Sequence, residues 1–204
     1  VEVVLTGQHR EMVAEIIGPL GIRPSTDLSI MRPGQSLTDI LVAVLGRLDQ
    51  TYQQTSPDVV LVQGDTSTAF AAALAAFHRR IAVAHVEAGL RSFDRWNPFP
   101  EEANRRMISA LAELHFAPTA QAARQLRAEG ASAESLFITG NTVIDALCMA
   151  LTKIGADLGP SADERDGVLV TLHRREAWDG VRADGSNVLR GILAGVAAAA
   201  SENS

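Results

Sequence analysis

Cysteine is almost missing from this chain. Cys148 is the single one in 204 residues, which excludes an internal disulfide framework and a thiolate metal cluster; alone, it reads as a small buried side chain. Positive charge is short as well. Eighteen Lys and Arg stand against 24 Asp and Glu, a net charge of −6, so the basic stripe of a nucleic-acid surface is not expected. No apolar run is long enough to span a bilayer, and no signal peptide is visible. Neither a GxGxxG dinucleotide fingerprint nor a Walker loop occurs, which argues against the commonest NAD and ATP sites. His78, His85 and His115 fall on different elements and suggest no metal site. An initiating methionine is also lacking: Val1 opens directly into an apolar run and the Ala-rich end stops inside a helix-like stretch, so a piece of a longer protein is expected. The default reading is a soluble, cytoplasmic α/β enzyme without cofactor or metal.

What is present is alternation. Apolar residues make up 47% of the chain, enough for a sizeable core. Pro57 to Gln63 reads as a strand that stops at Gly64-Asp65-Thr66. Ser67 to Phe77 follows with helical periodicity, and Ile81 to Val86 is a second apolar strand ending at Glu87-Ala88-Gly89. Strand, helix, strand is a βαβ unit, and parallel strands buried on both faces read as continuous apolar runs. Ligands of such sheets bind beyond the carboxyl ends of the strands, so Asp65 and Glu87 are placed at the ligand edge.

The flanks repeat the pattern. A strand at Val1–Leu5 leads through Thr6-Gly7-Gln8-His9 into a helix at Met12–Leu20. Leu28–Met31 is a short strand. Leu37–Gln54 carries a helical stripe, with Ser36 and Asp39 spaced as a capping box. Glu101–Leu114 is a helix, His115–Ala117 a strand, Ala120–Glu129 a helix capped by Thr119, Leu136–Thr139 a strand and Val143–Ile154 a helix. The fold class is therefore α/β, a Rossmann-like, doubly wound parallel sheet over residues 1–154. Gly155–Gly167, rich in glycine and acids, reads as a linker (155–167). Val168–Leu172 restarts a strand, and Asn187–Ala200 a helix, as the beginning of a second domain (168–204).

Acids sit where the backbone turns. Asp65, Glu87 and Glu101 can form a cluster in which partial burial separates the carboxyl pKa values into an acid and a base. Plainer readings stand beside this one: a helix cap for Asp65, dipole stabilisation for Glu101, a Glu87–Arg91 ion pair, and intrahelical pairs of Glu101 and Glu102 with Arg105 and Arg106. His173-Arg174-Arg175 at a strand end offers two-pronged donors for phosphate, or is a solvated basic turn. Gly140-Asn141-Thr142 offers backbone donors to an anion or sugar, or a plain cap. Gln8 and His9 read as a polar turn at a helix start.

Six segments in order resemble one family: Thr6-Gly7-Gln8-His9-Arg10-Glu11-Met12, Gln63-Gly64-Asp65-Thr66, His85-Val86-Glu87-Ala88-Gly89-Leu90-Arg91, Pro98-Phe99-Pro100-Glu101-Glu102-Ala103-Asn104-Arg105, Gly140-Asn141-Thr142-Val143-Ile144-Asp145 and His173-Arg174-Arg175-Glu176. The chain is similar to the non-hydrolysing UDP-N-acetylglucosamine 2-epimerases. The resemblance implies two Rossmann-like domains of the glycosyltransferase-B type around a cleft, with the second truncated here. It implies interconversion of UDP-N-acetylglucosamine and UDP-N-acetylmannosamine by elimination of UDP to 2-acetamidoglucal and re-addition, without nicotinamide, serving cell-wall polysaccharide synthesis. Asp65, Glu87, Glu101 and His173 match its catalytic positions; Arg91, Asn141 and Arg174 fall at substrate-binding positions. Gln8 and His9 match a region binding a second, activating UDP-N-acetylglucosamine. A cytoplasmic homodimer is implied, with a UDP-sugar as partner and neither nucleic acid nor membrane. The family's opening strand with its Gly-Thr-Arg-Pro-Glu turn and most of its second domain are absent, so this piece by itself is expected to be nearly inactive; Ala177 stands where relatives carry Asn or Ser. Alternatives of related kind are an epimerase of a diacetamido-uronic UDP-sugar and a hydrolysing 2-epimerase; the alternative from another class is a non-catalytic sugar-nucleotide binding module.

Overall fold

The computed structural model describes residues 1–8, 10–155 and 188–202. The chain divides into two compact units, 1–156 and 157–204. In the second, the described part is one helix, α7 (Val188–Glu202). The expected linker beyond Gly155, the strand at Val168–Leu172 and the turn carrying His173 and Arg174 lie outside the described residues.

The first unit runs β1 (Val4–Leu5), α1 (Arg10–Ile17), β2 (Thr26–Asp27), α2 (Leu37–Thr55), β3 (Val59–Gln63), α3 (Ser67–His78), β4 (Ala82–Val86), α4 (Glu101–Leu111), β5 (Leu114–Ala117), α5 (Ala120–Ala128), β6 (Leu136–Ile138) and α6 (Thr142–Ile154). β3-β4-β5-β6 form one four-stranded parallel sheet in chain order, and β1 and β2 pair parallel in a separate ladder. This is the Rossmann-like α/β architecture that the alternation predicts. The boundaries move by a few residues. α4 ends at Leu111 because Ala112 turns extended and releases the chain into β5. The pairing of β2 lies at Thr26–Asp27, ahead of the expected Leu28–Met31. Leu28 N and Ile30 N still donate to Leu5 O (2.8 Å) and Thr6 O (3.1 Å), but Ser29, at φ +45°, breaks the regular ladder.

The helices form for the reasons their ends announce. Ser36 Oγ accepts from Asp39 N at 3.1 Å while Ser36 N donates to Asp39 Oδ2 at 2.9 Å, the reciprocal capping box. α2 then buries Ile40, Val44, Leu48 and Tyr52, one stripe at four-residue spacing. α3 buries Ala69, Ala71, Ala73, Ala75 and Ala76, which fall on two opposite faces of the helix. Methyl side chains let it pass closely between neighbours, as a helix apolar on every side must. With Val60, Val62, Val83 and Ile108 these residues build the main core, to which Leu28 and Ile30 belong and against which Val4 packs. A second cluster joins Ala88 and Ala117 to Ala122 and Leu126 of α5.

β4 is covered on both sides, as its continuous apolar run predicts. β3 is not: Val60 and Val62 are buried, while Val59 and Leu61 are 47% and 65% exposed. That correction has a visible cause. β1 and β3 do not hydrogen-bond to each other, and both line a cleft of about 1110 Å³. At the far end of the sheet α6 buries none of its side chains, and Cys148 on it is exposed, not buried. Where β4 leaves the sheet, a Cβ on Gly89 (φ +86°) would stand 2.3 Å from Ala122 O. Only glycine lets the backbone there run so close to α5.

Candidate active site

Three turns at the carboxyl edge of the sheet supply the polar groups. After β3, Gly64 takes φ +72° and Asp65 precedes α3. The helix cap is Thr66, whose Oγ1 accepts from Ala69 N at 3.1 Å, so the plainer reading of Asp65 as a cap is displaced by one residue. The Asp65 carboxylate instead accepts a hydrogen bond from Arg105 Nη2, and its main-chain carbonyl accepts from Asn104 Nδ2 at 2.9 Å. After β4, Glu87 sits at φ +66°, a left-handed conformation costly for a residue with a Cβ. Its carboxylate lies over the first turn: a Cβ on Gly64 would be 3.6 Å from Glu87 Oε2. After β6, Asn141 caps α6 through Oδ1, accepting from Val143 N at 3.1 Å, and donates from Nδ2 to Glu87 Oε1 at 3.3 Å. The plain cap offered by the sequence is made, and the same side chain also reaches Glu87.

Asp65, Glu87 and Asn141 are thus drawn together by three strand ends. Glu101 opens α4, one helical turn ahead of Arg105, where the helix dipole favours its charge. The carboxylate that α4 buries is the next one. Glu102 is fully covered and accepts from Ser92 N (2.9 Å) and Arg106 Nε (3.0 Å), with Arg105 Nη1 at 3.3 Å. Burial opposes its charge, but the Ser92 amide and the two guanidiniums outweigh that and hold its carboxyl below the usual range. The expected pairing of Arg105 and Arg106 with the acids of the same helix is therefore met by Glu102.

Arg91 is committed elsewhere. Its side chain is fully covered; Nε and Nη2 reach Glu129 at 2.8 and 2.5 Å, and Nη2 also donates to Ser109 Oγ at 2.9 Å. The Glu87–Arg91 ion pair does not form; the Arg91 guanidinium instead joins the loop after β4 to the end of α5. This two-pronged hydrogen bonding holds the Glu129 carboxyl low. Gln8 accepts from Thr68 Oγ1, linking the end of β1 to the first turn of α3; His9 lies outside the described residues.

Two histidines escaped the sequence reading as neighbours. His85 and His115 are register partners on β4 and β5, both buried. Among the described residues no group of three His, Cys, Asp or Glu side chains is placed to hold a metal ion. Burial pushes His85 down to about 4, against the opposing bond to Gly64 O, and lowers His115 as well, helped by the nearby Arg91 charge. Both are neutral at pH 7. A neutral imidazole facing a carbonyl must donate, so His85 carries its proton on Nε2, 2.8 Å from Gly64 O; Nδ1 has no hydrogen-bond partner among the described residues.

A parallel α/β sheet with carboxylates, a guanidinium and an amide converging at its carboxyl edge defines a Rossmann-like ligand-binding domain. A family model described as UDP-N-acetylglucosamine 2-epimerase matches residues 1–198, and the chain belongs to that family. It is 47% identical over 175 residues to the UDP-N-acetylglucosamine 2-epimerase of Bacillus subtilis, covering 85% of this chain and 46% of that protein. It is 46% identical over 187 residues to the Escherichia coli K12 enzyme of the same name, covering 87% and 50%. The chain thus spans about half the length of these relatives. A crystal structure of the Neisseria meningitidis UDP-GlcNAc 2-epimerase bound to UDP-GlcNAc superposes with a TM-score of 0.72 at 45% identity, covering 76% of this chain and 42% of that one. Among the described residues no helix is long and apolar enough to cross a membrane.

Proposed function

We propose that the protein carrying this chain interconverts UDP-N-acetylglucosamine and UDP-N-acetylmannosamine. The observation that carries the reading is the meeting of Asp65 and Glu87 at Gly64, with Arg105 and Asn141 holding one carboxylate each. A base takes the proton from carbon 2 as the bond from carbon 1 to oxygen breaks, and UDP leaves with that electron pair. The carbon 2 electrons form the double bond of 2-acetamidoglucal. Re-addition of UDP with proton delivery to the other face of carbon 2 gives the epimer. Asp65 and Glu101 handle the protons, Glu87 with Asn141 lines the sugar site, and His173 with Arg174 steadies the departing diphosphate. A second Rossmann-like domain completes the nucleotide site, and no nicotinamide is needed because elimination and re-addition move a proton and UDP, never a hydride. Gln8 and His9 take part in binding an activating UDP-sugar. The working state is a cytoplasmic homodimer.

The test is proton NMR of the protein as encoded, with UDP-N-acetylglucosamine in deuterium oxide. Loss of the carbon 2 proton with growth of UDP-N-acetylmannosamine is the expected result. Free N-acetylmannosamine plus UDP would mean hydrolysis, and binding without exchange would mean a binding module; either overturns the reading.

A further inference from the structure

The turn that bears Asp65 is held at two successive carbonyls. Gly64 O accepts from His85 Nε2 at 2.8 Å, and Asp65 O accepts from Asn104 Nδ2 at 2.9 Å. Both donors are buried, His85 at 1% and Asn104 at 5% exposure. They approach from different elements, His85 from β4 and Asn104 from α4. Backbone pairing adds little here: Gly64 N donates to Val86 O at 3.1 Å, the last rung before the strands part. Beyond that rung the Gly64-Asp65 backbone leaves the sheet at φ +72°, a region glycine enters freely and can leave as freely. Each donor also sits close in sequence to another site residue. His85 is two residues before Glu87, and Asn104 is adjacent to Arg105.

We infer that His85 and Asn104 are positioning residues, a two-point clamp that fixes the Gly64-Asp65 turn and so aims the Asp65 carboxylate. This rests on the epimerase reading for its catalytic consequence and on the geometry alone for its mechanical one. His85 suits the task because its buried ring donates from Nε2 while adding no charge beside Asp65. Asn104 does the same from the helix side. Arg105 then meets a carboxylate whose backbone is already fixed, and the proton-transfer geometry is preset before substrate arrives.

The experiment compares His85→Leu, His85→Gln and Asn104→Ala in the protein as encoded. Glutamine keeps a neutral N–H donor; leucine removes it. Carbon 2 proton exchange at saturating substrate should fall about 10- to 100-fold in His85→Leu and Asn104→Ala, with KM changed less than about threefold, because a misplaced group costs rate more than binding. His85→Gln should recover most of the rate. Hydrogen–deuterium exchange of the segment 64–66 reads the clamp without turnover: faster in His85→Leu and Asn104→Ala, close to wild type in His85→Gln. If the leucine variant does not fold, Asn104→Ala decides by both readouts. Unchanged amide exchange in Asn104→Ala, or equal rate losses in His85→Leu and His85→Gln, overturns the clamp. A wild-type protein that lacks carbon 2 exchange while the amide pattern holds overturns the epimerase reading and leaves the clamp standing.

Discussion

Two turns of this molecule are nearly the same in sequence and differ in use. Gly64-Asp65-Thr66 and Gly140-Asn141-Thr142 each follow a parallel strand, each open a helix, and each begin with a left-handed glycine, at φ +72° and +80°. In the first, Thr66 is the cap and Asp65 is released from capping. In the second, the cap moves back one residue to Asn141, and Thr142 is merely the first helical residue. The first turn is pinned by buried His85 and Asn104 and starts α3, which buries five alanines. The second starts α6, which buries nothing. A shift of one residue in the cap, with different packing below it, turns one motif into a carboxylate released from capping to meet Arg105 and the other into a support that reaches Glu87.

The comparison can be broken or sharpened by experiment. Its largest test is Asp65→Asn, which keeps shape and removes the charge; carbon 2 exchange should fall by about 10²- to 10⁴-fold, measured by NMR in deuterium oxide. Exchange near the wild-type rate would reduce Asp65 to scenery. The next test is acid stability, which should depend on the buried base under the first turn. The His85 pKa is about 4 in the fold against 6.5 for the free side chain. As pH falls below 6.5 the unfolded chain takes the proton first, so stability is full above that value and declines until about pH 4. The loss attributable to this side chain is about 3 kcal/mol at most. Urea unfolding at several pH values should show a shallower acid decline for His85→Gln. Capping comes third: Thr66→Ala and Asn141→Ala should each cost about 1 kcal/mol, read as a shift in urea midpoint. Smallest is Thr142→Ala, expected within about 0.5 kcal/mol of wild type since an exposed non-cap threonine is lost. Equal losses at Thr66 and Thr142 would contradict the displaced cap.

Much of the fold is legible in the residues because its signals are local. The Ser36–Asp39 box, the Thr119 cap and the apolar runs of β4 and β5 each act within a turn or a strand, and the structure keeps them. So is the meeting of acids at one sheet edge, since parallel strands all point their carboxyl ends the same way. What escaped depends on long-range packing. Arg91 finds Glu129 across 38 residues, and nothing near Arg91 in sequence distinguishes that partner from the nearby Glu87. His85 and His115 become neighbours only through the register of two strands. The half-exposed state of β3 follows from where another ladder stops, which no pattern inside β3 can encode.

Gly89 has a consequence for anyone reshaping the ligand edge. A side chain there would run into a main-chain carbonyl of α5, and the positive φ adds its own penalty. Randomise positions 87–91 and select for folded protein, and position 89 should return glycine alone while its neighbours diversify. The route of the loop that carries Glu87 is therefore set by a helix that contributes no group to the chemistry. A design that moves α5 by a fraction of an ångström would redirect the loop, and with it the carboxylate, without touching Asp65, Glu87 or Asn141.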